Sequence, residues 1–140
     1  MENTHPFTVG EWAFAHNGTI RKLNLHDQTD SEWFFLSLMN EFAKNRSSNV
    51  VELIKQRVAT VRSLYNYSSI TFLLSNGKTM YAYRDYTGHE DYYTLFYTKT
   101  NDATIVCQEK LFDSRWTGLE NRQLLEIQEG LIRTHDLSPF

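Results

Sequence analysis

A single cysteine in 140 residues forbids an intramolecular disulfide and leaves no all-cysteine zinc site. No apolar run approaches the roughly 18 residues of a membrane span. The opening Met1-Glu2-Asn3-Thr4-His5 has neither the basic nor the apolar region of a signal peptide. The expected setting is therefore cytoplasmic, with no membrane partner. Charge of neither sign dominates: fourteen basic against seventeen acidic side chains leave a net −3, which argues against a dedicated nucleic-acid surface. The five histidines, at 5, 16, 26, 89 and 135, include no pair at helical metal-ligand spacing, so no metal is expected. Gly-x-Ser-x-Gly, the Walker pattern and Gly-x-Gly-x-x-Gly are all missing, and no cofactor is expected.

What remains is ordinary for a folded protein, with 41% apolar and 22% charged residues. The 14% of aromatics suits a core rich in β-structure. With no internal repeat, low-complexity stretch or long linker, the length predicts one domain over 1–140.

A first strand is predicted from Glu11 to Ala15, ending at His16-Asn17-Gly18, where Asn-Gly is a strong turn signal. Thr29-Asp30-Ser31-Glu32 has capping-box spacing, and Phe35, Leu38, Met39 and Phe42 then repeat along one helical face. The polar stretch Asn45-Arg46-Ser47-Ser48-Asn49 breaks the pattern. A second helix follows, with Val50, Ile54, Val58, Val61 and Tyr65 on one side. From Ser69 the character becomes β. Strands are expected over Ile70 to Leu74, Thr79 to Tyr83, Tyr92 to Thr98, Ala103 to Gln108 and, briefly, Leu124 to Ile127. The tail after Glu129 is polar and is expected to be ordered only by packing. Strand, helix pair and several antiparallel strands make an α+β fold, helices layered on a sheet.

Cys107 falls inside a predicted strand, beside nothing that would lower its pKa, and is expected to be an inert core thiol. Asn17-Gly18 reads in two ways. It is a turn, or it is an oxyanion hole, in which a side-chain amide and the next backbone N–H donate to a developing negative oxygen. Glycine at the second position lets a substrate approach the main chain. Asp30 is likewise a helix-start acid favoured by the macrodipole, or a carboxylate that pairs with a ligand's ammonium group.

Taken together, Thr4-His5-Pro6-Phe7, then Trp12-Ala13-Phe14-Ala15-His16-Asn17-Gly18-Thr19-Ile20, then Thr29-Asp30-Ser31-Glu32, resemble the class II glutamine amidotransferases, in order and in spacing. Asn76-Gly77 before Tyr81-Ala82-Tyr83-Arg84 fits more loosely, and so do Ile105 to Leu111 and Trp116. Gln108-Glu109-Lys110-Leu111 departs from the family's Ser-Glu-Pro-Leu. The resemblance covers about residues 3 to 128 and implies part of an N-terminal-nucleophile αββα sandwich. It implies that Asn17 and Gly18 form the oxyanion hole for the glutamine carboxamide and that Asp30 holds the α-ammonium. His5 would support the site.

The family's nucleophile is a first-residue cysteine whose own amine is the general base. Here Met1-Glu2 stands instead, so the resemblance implies an incomplete domain, its later portion, inactive alone and completed by a cysteine-bearing partner chain. An incomplete sandwich would leave sheet edges open, so association, as a homodimer or with that partner, is expected. The other reading is a non-catalytic module that binds glutamine or a related amino acid, or serves as a scaffold.

Overall fold

The computed structural model describes residues 4–21 and 23–138. Short strand β1 (Phe7–Val9) leads into β2 (Trp12–Asn17); helices α1 (Asp30–Lys44) and α2 (Val50–Leu64) follow. Then come β3 (Thr71–Ser75), β4 (Thr79–Arg84), β5 (Phe96–Lys99), β6 (Thr104–Cys107), β7 (Thr117–Gly118), β8 (Gln123–Gln128) and β9 (Leu131–Asp136). Two antiparallel sheets result, one ordered β1-β2-β3-β4-β8-β9 and one β6-β5-β7. This is the α+β arrangement the sequence predicts.

The helices start where their caps place them. Thr29 Oγ1 accepts from the Glu32 backbone N–H at 3.2 Å, and Asn49 Oδ1 accepts from that of Val51 at 2.8 Å, each satisfying a free donor of a first turn. Their apolar stripes, Phe34, Phe35 and Leu38 on α1 and Ile54, Val58 and Val61 on α2, are buried against one face of the six-stranded sheet. Strand alternation supplies the other half of that core, through Phe14, Phe72, Leu74, Tyr81, Tyr83 and Leu124. Phe14 is sandwiched there, parallel to Phe35 at 5.2 Å and tilted against Phe72 at 5.4 Å.

The intervening residues of the same strands face the opposite way. Leu73, Ala82, Leu125 and Ile127 meet Leu95, Tyr97, Val106 and Leu119 of the smaller sheet and its connections. The order of layers is helix pair, six-stranded sheet, three-stranded sheet.

The smaller sheet is an excursion between two neighbours of the larger one, because β4 and β8 pair directly through Thr79↔Gln128 to Arg84↔Gln123. Its two ends are tied together: Asn121 accepts from the Tyr86 N–H at 3.1 Å and donates to the Tyr86 carbonyl at 3.2 Å. Arg84 clamps the excursion from below, its guanidinium donating to the carbonyls of Tyr93 (2.7 Å), Leu119 (2.6 Å) and Glu90 (2.9 Å).

Three expectations need correction. The tail after Glu129 is not merely packed: β9 pairs with β8 along its whole length, from Gln123↔Asp136 to Gln128↔Leu131. The turn is Glu129-Gly130, both at positive φ, as a two-residue hairpin requires. As an edge strand with much of its surface wet, β9 shows little apolar alternation to read. The strand expected from Tyr92 begins only at Phe96, since Arg84 draws the Glu90 and Tyr93 carbonyls out of any ladder. Cys107 is half-buried rather than in the core. Its thiol donates to the Glu109 carbonyl at 2.8 Å, just beyond the end of β6.

Candidate functional site

Asn17 is the last residue of β2, paired with Thr71 of β3, and so shares the face of Ala15 and Leu73, away from the helices. There a cavity of about 370 Å³ opens between the two sheets, with Asn17, His5, Thr71, Leu95 and Gln108 among its lining. Among the described residues the Asn17 side-chain amide has no hydrogen-bond partner, leaving its two N–H donors available. His5 stands beside it, its ring edge-on to Phe7 at 4.9 Å.

Gly18 follows at φ +142°. A side chain there would drive its Cβ into the Ser69 carbonyl group, 2.7 Å from the carbon and closer still to the oxygen. Glycine at this position is required by that approach as well as by the backbone angle. Beyond it the chain runs beside residues 66–68: the Thr19 N–H donates to Ser68 Oγ at 3.0 Å, and Ile20 bridges Tyr67.

Asp30 opens helix α1, but it does not line the cavity. Its Oδ2 accepts from the Ile20 N–H at 2.8 Å, tying the helix start to the strand that follows Gly18. Oδ1 has no hydrogen-bond partner among the described residues. Asn17, Gly18 and Asp30 thus gather at one end of β2; Asn17 and His5 line the cavity, while Asp30 stands to one side of it.

His16 is the residue that sequence reasoning left without a role. It shares the helix-facing side with Phe14, so a polar ring lies on an apolar face and must find partners there. It finds two. Nε2 lies 3.0 Å from the Ser69 carbonyl oxygen, an acceptor only, so Nε2 carries the proton. Nδ1, 2.8 Å from Ser31 Oγ, then accepts from that hydroxyl. Burial pushes the His16 pKa below its ordinary value, against the upward pull of the Ser69 bond and the Asp30 charge; His5 adds to the lowering. The periodicity alone carries this signal, since a histidine at a core-facing strand position needs hydrogen bonds.

Nearby, Asp85 is fully buried. It accepts from Arg62 Nε at 2.8 Å, from Tyr67 Oη at 3.0 Å and from Tyr83 Oη at 2.8 Å, while Arg62 also donates to Tyr83 Oη. Burial foremost, then the Asp85 charge, pushes both phenols well above the usual tyrosine range. This cluster pins α2 to the end of β4.

Chemically, the cavity offers amide donors to an incoming carbonyl oxygen or anion. Cys107 is also among the residues lining the cavity, and its thiol hydrogen is engaged by the Glu109 carbonyl. Among the described residues no group of three or more His, Cys, Asp or Glu side chains could hold a metal ion. No helix of the described residues is long and apolar enough to cross a membrane.

Residues 1–100 match the family model for class II glutamine amidotransferases. An uncharacterized protein of Methanocaldococcus jannaschii is 31% identical across 91% of this chain, which accounts for 46% of that protein's length. The chain therefore spans about half the length of that curated relative. Among solved structures, a class II glutamine aminotransferase domain protein from Silicibacter pomeroyi superposes with a TM-score of 0.72 at 23% identity, over 99% of this chain and 72% of its own. Glutamine phosphoribosylpyrophosphate amidotransferase from Bacillus subtilis superposes with a TM-score of 0.63 at 16% identity, over 91% of this chain and 29% of its own.

Proposed function

The chain belongs to the class II glutamine amidotransferases, and on that premise we propose that it carries the carboxamide-binding part of a glutaminase site. The observation behind this is the Asn17 amide, unpartnered on the cavity wall with Gly18 next in the chain. The substrate is glutamine. Its side-chain carbonyl oxygen sits between the Asn17 amide and the Gly18 N–H, and its α-ammonium pairs with Asp30 Oδ1, which the bond from Ile20 leaves open.

The nucleophile comes from a cysteine-bearing N-terminal part, in the same polypeptide or in a partner chain. Its thiolate attacks the carboxamide carbon, and the electron pair of the C=O moves to the oxygen, where Asn17 and Gly18 stabilise it. Collapse of this intermediate breaks the C–N bond, and ammonia leaves with the proton that the terminal amine took from the thiol. Water then attacks the γ-glutamyl thioester, releasing glutamate and restoring the thiol. The ammonia passes to an acceptor. On this reading turnover depends on that cysteine, and residues 1–140 supply the groups that hold the carboxamide.

Purification from the native host, with intact masses of all chains in the complex, tests the arrangement. A co-purifying chain with an N-terminal cysteine, or a longer form of this chain carrying one, is the expected result. In that complex Asn17→Ala should lower kcat for ammonia release from glutamine about 10²- to 10³-fold. An active complex indifferent to Asn17→Ala would overturn the assignment.

A further inference from the structure

Seven polar or charged residues are buried among the described residues, and five of them, Ser31, His16, Ser69, Thr71 and Asp85, are joined in one line of hydrogen bonds that runs through side chains and, at Ser69 and Asp85, through backbone groups. Ser31 Oγ meets His16 Nδ1 at 2.8 Å, His16 Nε2 meets the Ser69 carbonyl at 3.0 Å, and Ser69 Oγ donates to Thr71 Oγ1 at 2.8 Å. Thr71 Oγ1 in turn accepts from the Asp85 N–H at 3.2 Å. Buried polar groups need partners anywhere in a protein, but they need not collect at one place. These collect beneath Asn17 and Gly18: Thr71 is the ladder partner of Asn17, Ser69 is the backbone against which Gly18 closes, and Ser31 follows Asp30 in the chain.

We propose that His16 is a positioning residue for the glutamine site: its Nε2–H holds the Ser69 carbonyl against Gly18, and its Nδ1, through the Ser31 hydroxyl, fixes that turn relative to Asp30. This rests on the assignment of Asn17, Gly18 and Asp30 as glutamine contacts. The distance between the carboxamide and the α-ammonium of glutamine is limited by its short side chain, so a site that grips both ends must hold its two grips in register. Strand β2 and helix α1 carry one grip each, and the loop between them spans residues 18–29. A loop of that length does not itself set a distance. The Ile20 N–H bond to Asp30 ties the helix start to the chain beyond Gly18, and the imidazole adds a second tie on the near side of Gly18, a rigid ring with a donor on one side and an acceptor on the other. Ordering it costs less rotamer freedom than a longer flexible side chain would. Ring stacking at 6.3 Å on Phe14, itself packed between α1 and β3, fixes the plane further. The charged or titratable groups that act on the ring are Asp30 and His5, one from each flank of the site.

The test is NMR on the full chain, free and titrated with L-glutamine. In the free protein the nitrogen shifts of His16 should report an Nε2–H tautomer; an Nδ1–H tautomer would overturn the proposal whatever the ligand does. Ser31→Ala, which removes one oxygen, should weaken L-glutamine binding about three- to tenfold, the size of one lost hydrogen bond. The amide signals of α2 should stay in place; unchanged affinity would again overturn it. His16→Gln keeps a donor for the Ser69 carbonyl and should leave the Gly18 amide signal near its wild-type place, whereas His16→Leu should displace it. If the two variants behave alike, the ring only fills space and the proposal fails. If the tautomer and the contrast between Gln and Leu hold but L-glutamine shifts nothing in the wild-type chain, the coupling stands and the assignment of the glutamine site falls.

Discussion

The two faces of the six-stranded sheet are built differently. The helix-covered face is a continuous core of fully buried aromatics and aliphatics, Phe14, Phe34, Phe35, Phe72, Tyr83 and Leu38 among them. On the other face the buried apolar cluster among the described residues is small, Ala82, Leu95, Leu119 and Leu125, and half-buried residues such as Leu73, Tyr97 and Val106 complete the contact. The cavity opens on this second side. The difference separates two jobs: one face supplies most of the burial that holds the fold, and the other gives up close packing to leave room for a ligand. The strand shared by both, β2, places Phe14 in the first and Asn17 at the edge of the second.

The sharpest way to break this comparison is to truncate a side chain on each face. Phe72→Ala should cost about 3–5 kcal/mol of unfolding free energy, whereas Val106→Ala, at a half-buried position, should cost roughly 1 kcal/mol. Urea denaturation of the two variants measures both, and equal losses would mean that the faces contribute alike. A smaller loss in the same urea measurement, about 1–3 kcal/mol, is expected for Asp85→Asn, which removes the charge from a buried carboxylate that accepts from Arg62, Tyr67 and Tyr83.

The smallest effect is one of pH. His16 is held neutral below its ordinary pKa of 6.5, so between that value and its lowered native one the unfolded chain binds more protons than the folded chain. Its contribution is therefore intact above pH 6.5 and falls away as the pH drops below it. Urea midpoints measured from pH 7.5 down to 5 should decline over that window, and less steeply in His16→Gln.

Helix α1 was legible because its signals are local: Thr29 caps three residues ahead, and the apolar stripe repeats within four. The turn at Asn17-Gly18 and the aromatic strand before it were legible for the same reason. The reason for Gly18 was not, because Ser69 lies 51 positions further along the chain. Nor was the role of His16, whose partners lie 15 and 53 positions away. Strand β9 escaped because a wet edge strand need not alternate, and the placing of Cys107 because the sequence shows that a residue is in a strand without showing which face is covered. Of the candidate site, residue types and order were readable, and the line of hydrogen bonds beneath them was not.

The stapled excursion between β4 and β8 bears on how such a chain can change over generations. Residues 86–121 leave the ladder and return to it at a junction closed by Asn121 and Tyr86, and the register from Thr79↔Gln128 to Arg84↔Gln123 is complete beneath them. Closing a longer loop at such a junction costs only about 0.6 kcal/mol for each doubling of its length. Insertions in the excursion, or exchange of what it carries, therefore leave the strands under it almost untouched. The cavity wall contributed by Leu95 and Gln108 belongs to this replaceable part, while Asn17 and Thr71 belong to the part that stays. Descendants of one ancestral chain can thus acquire different neighbours above the site while inheriting the same floor.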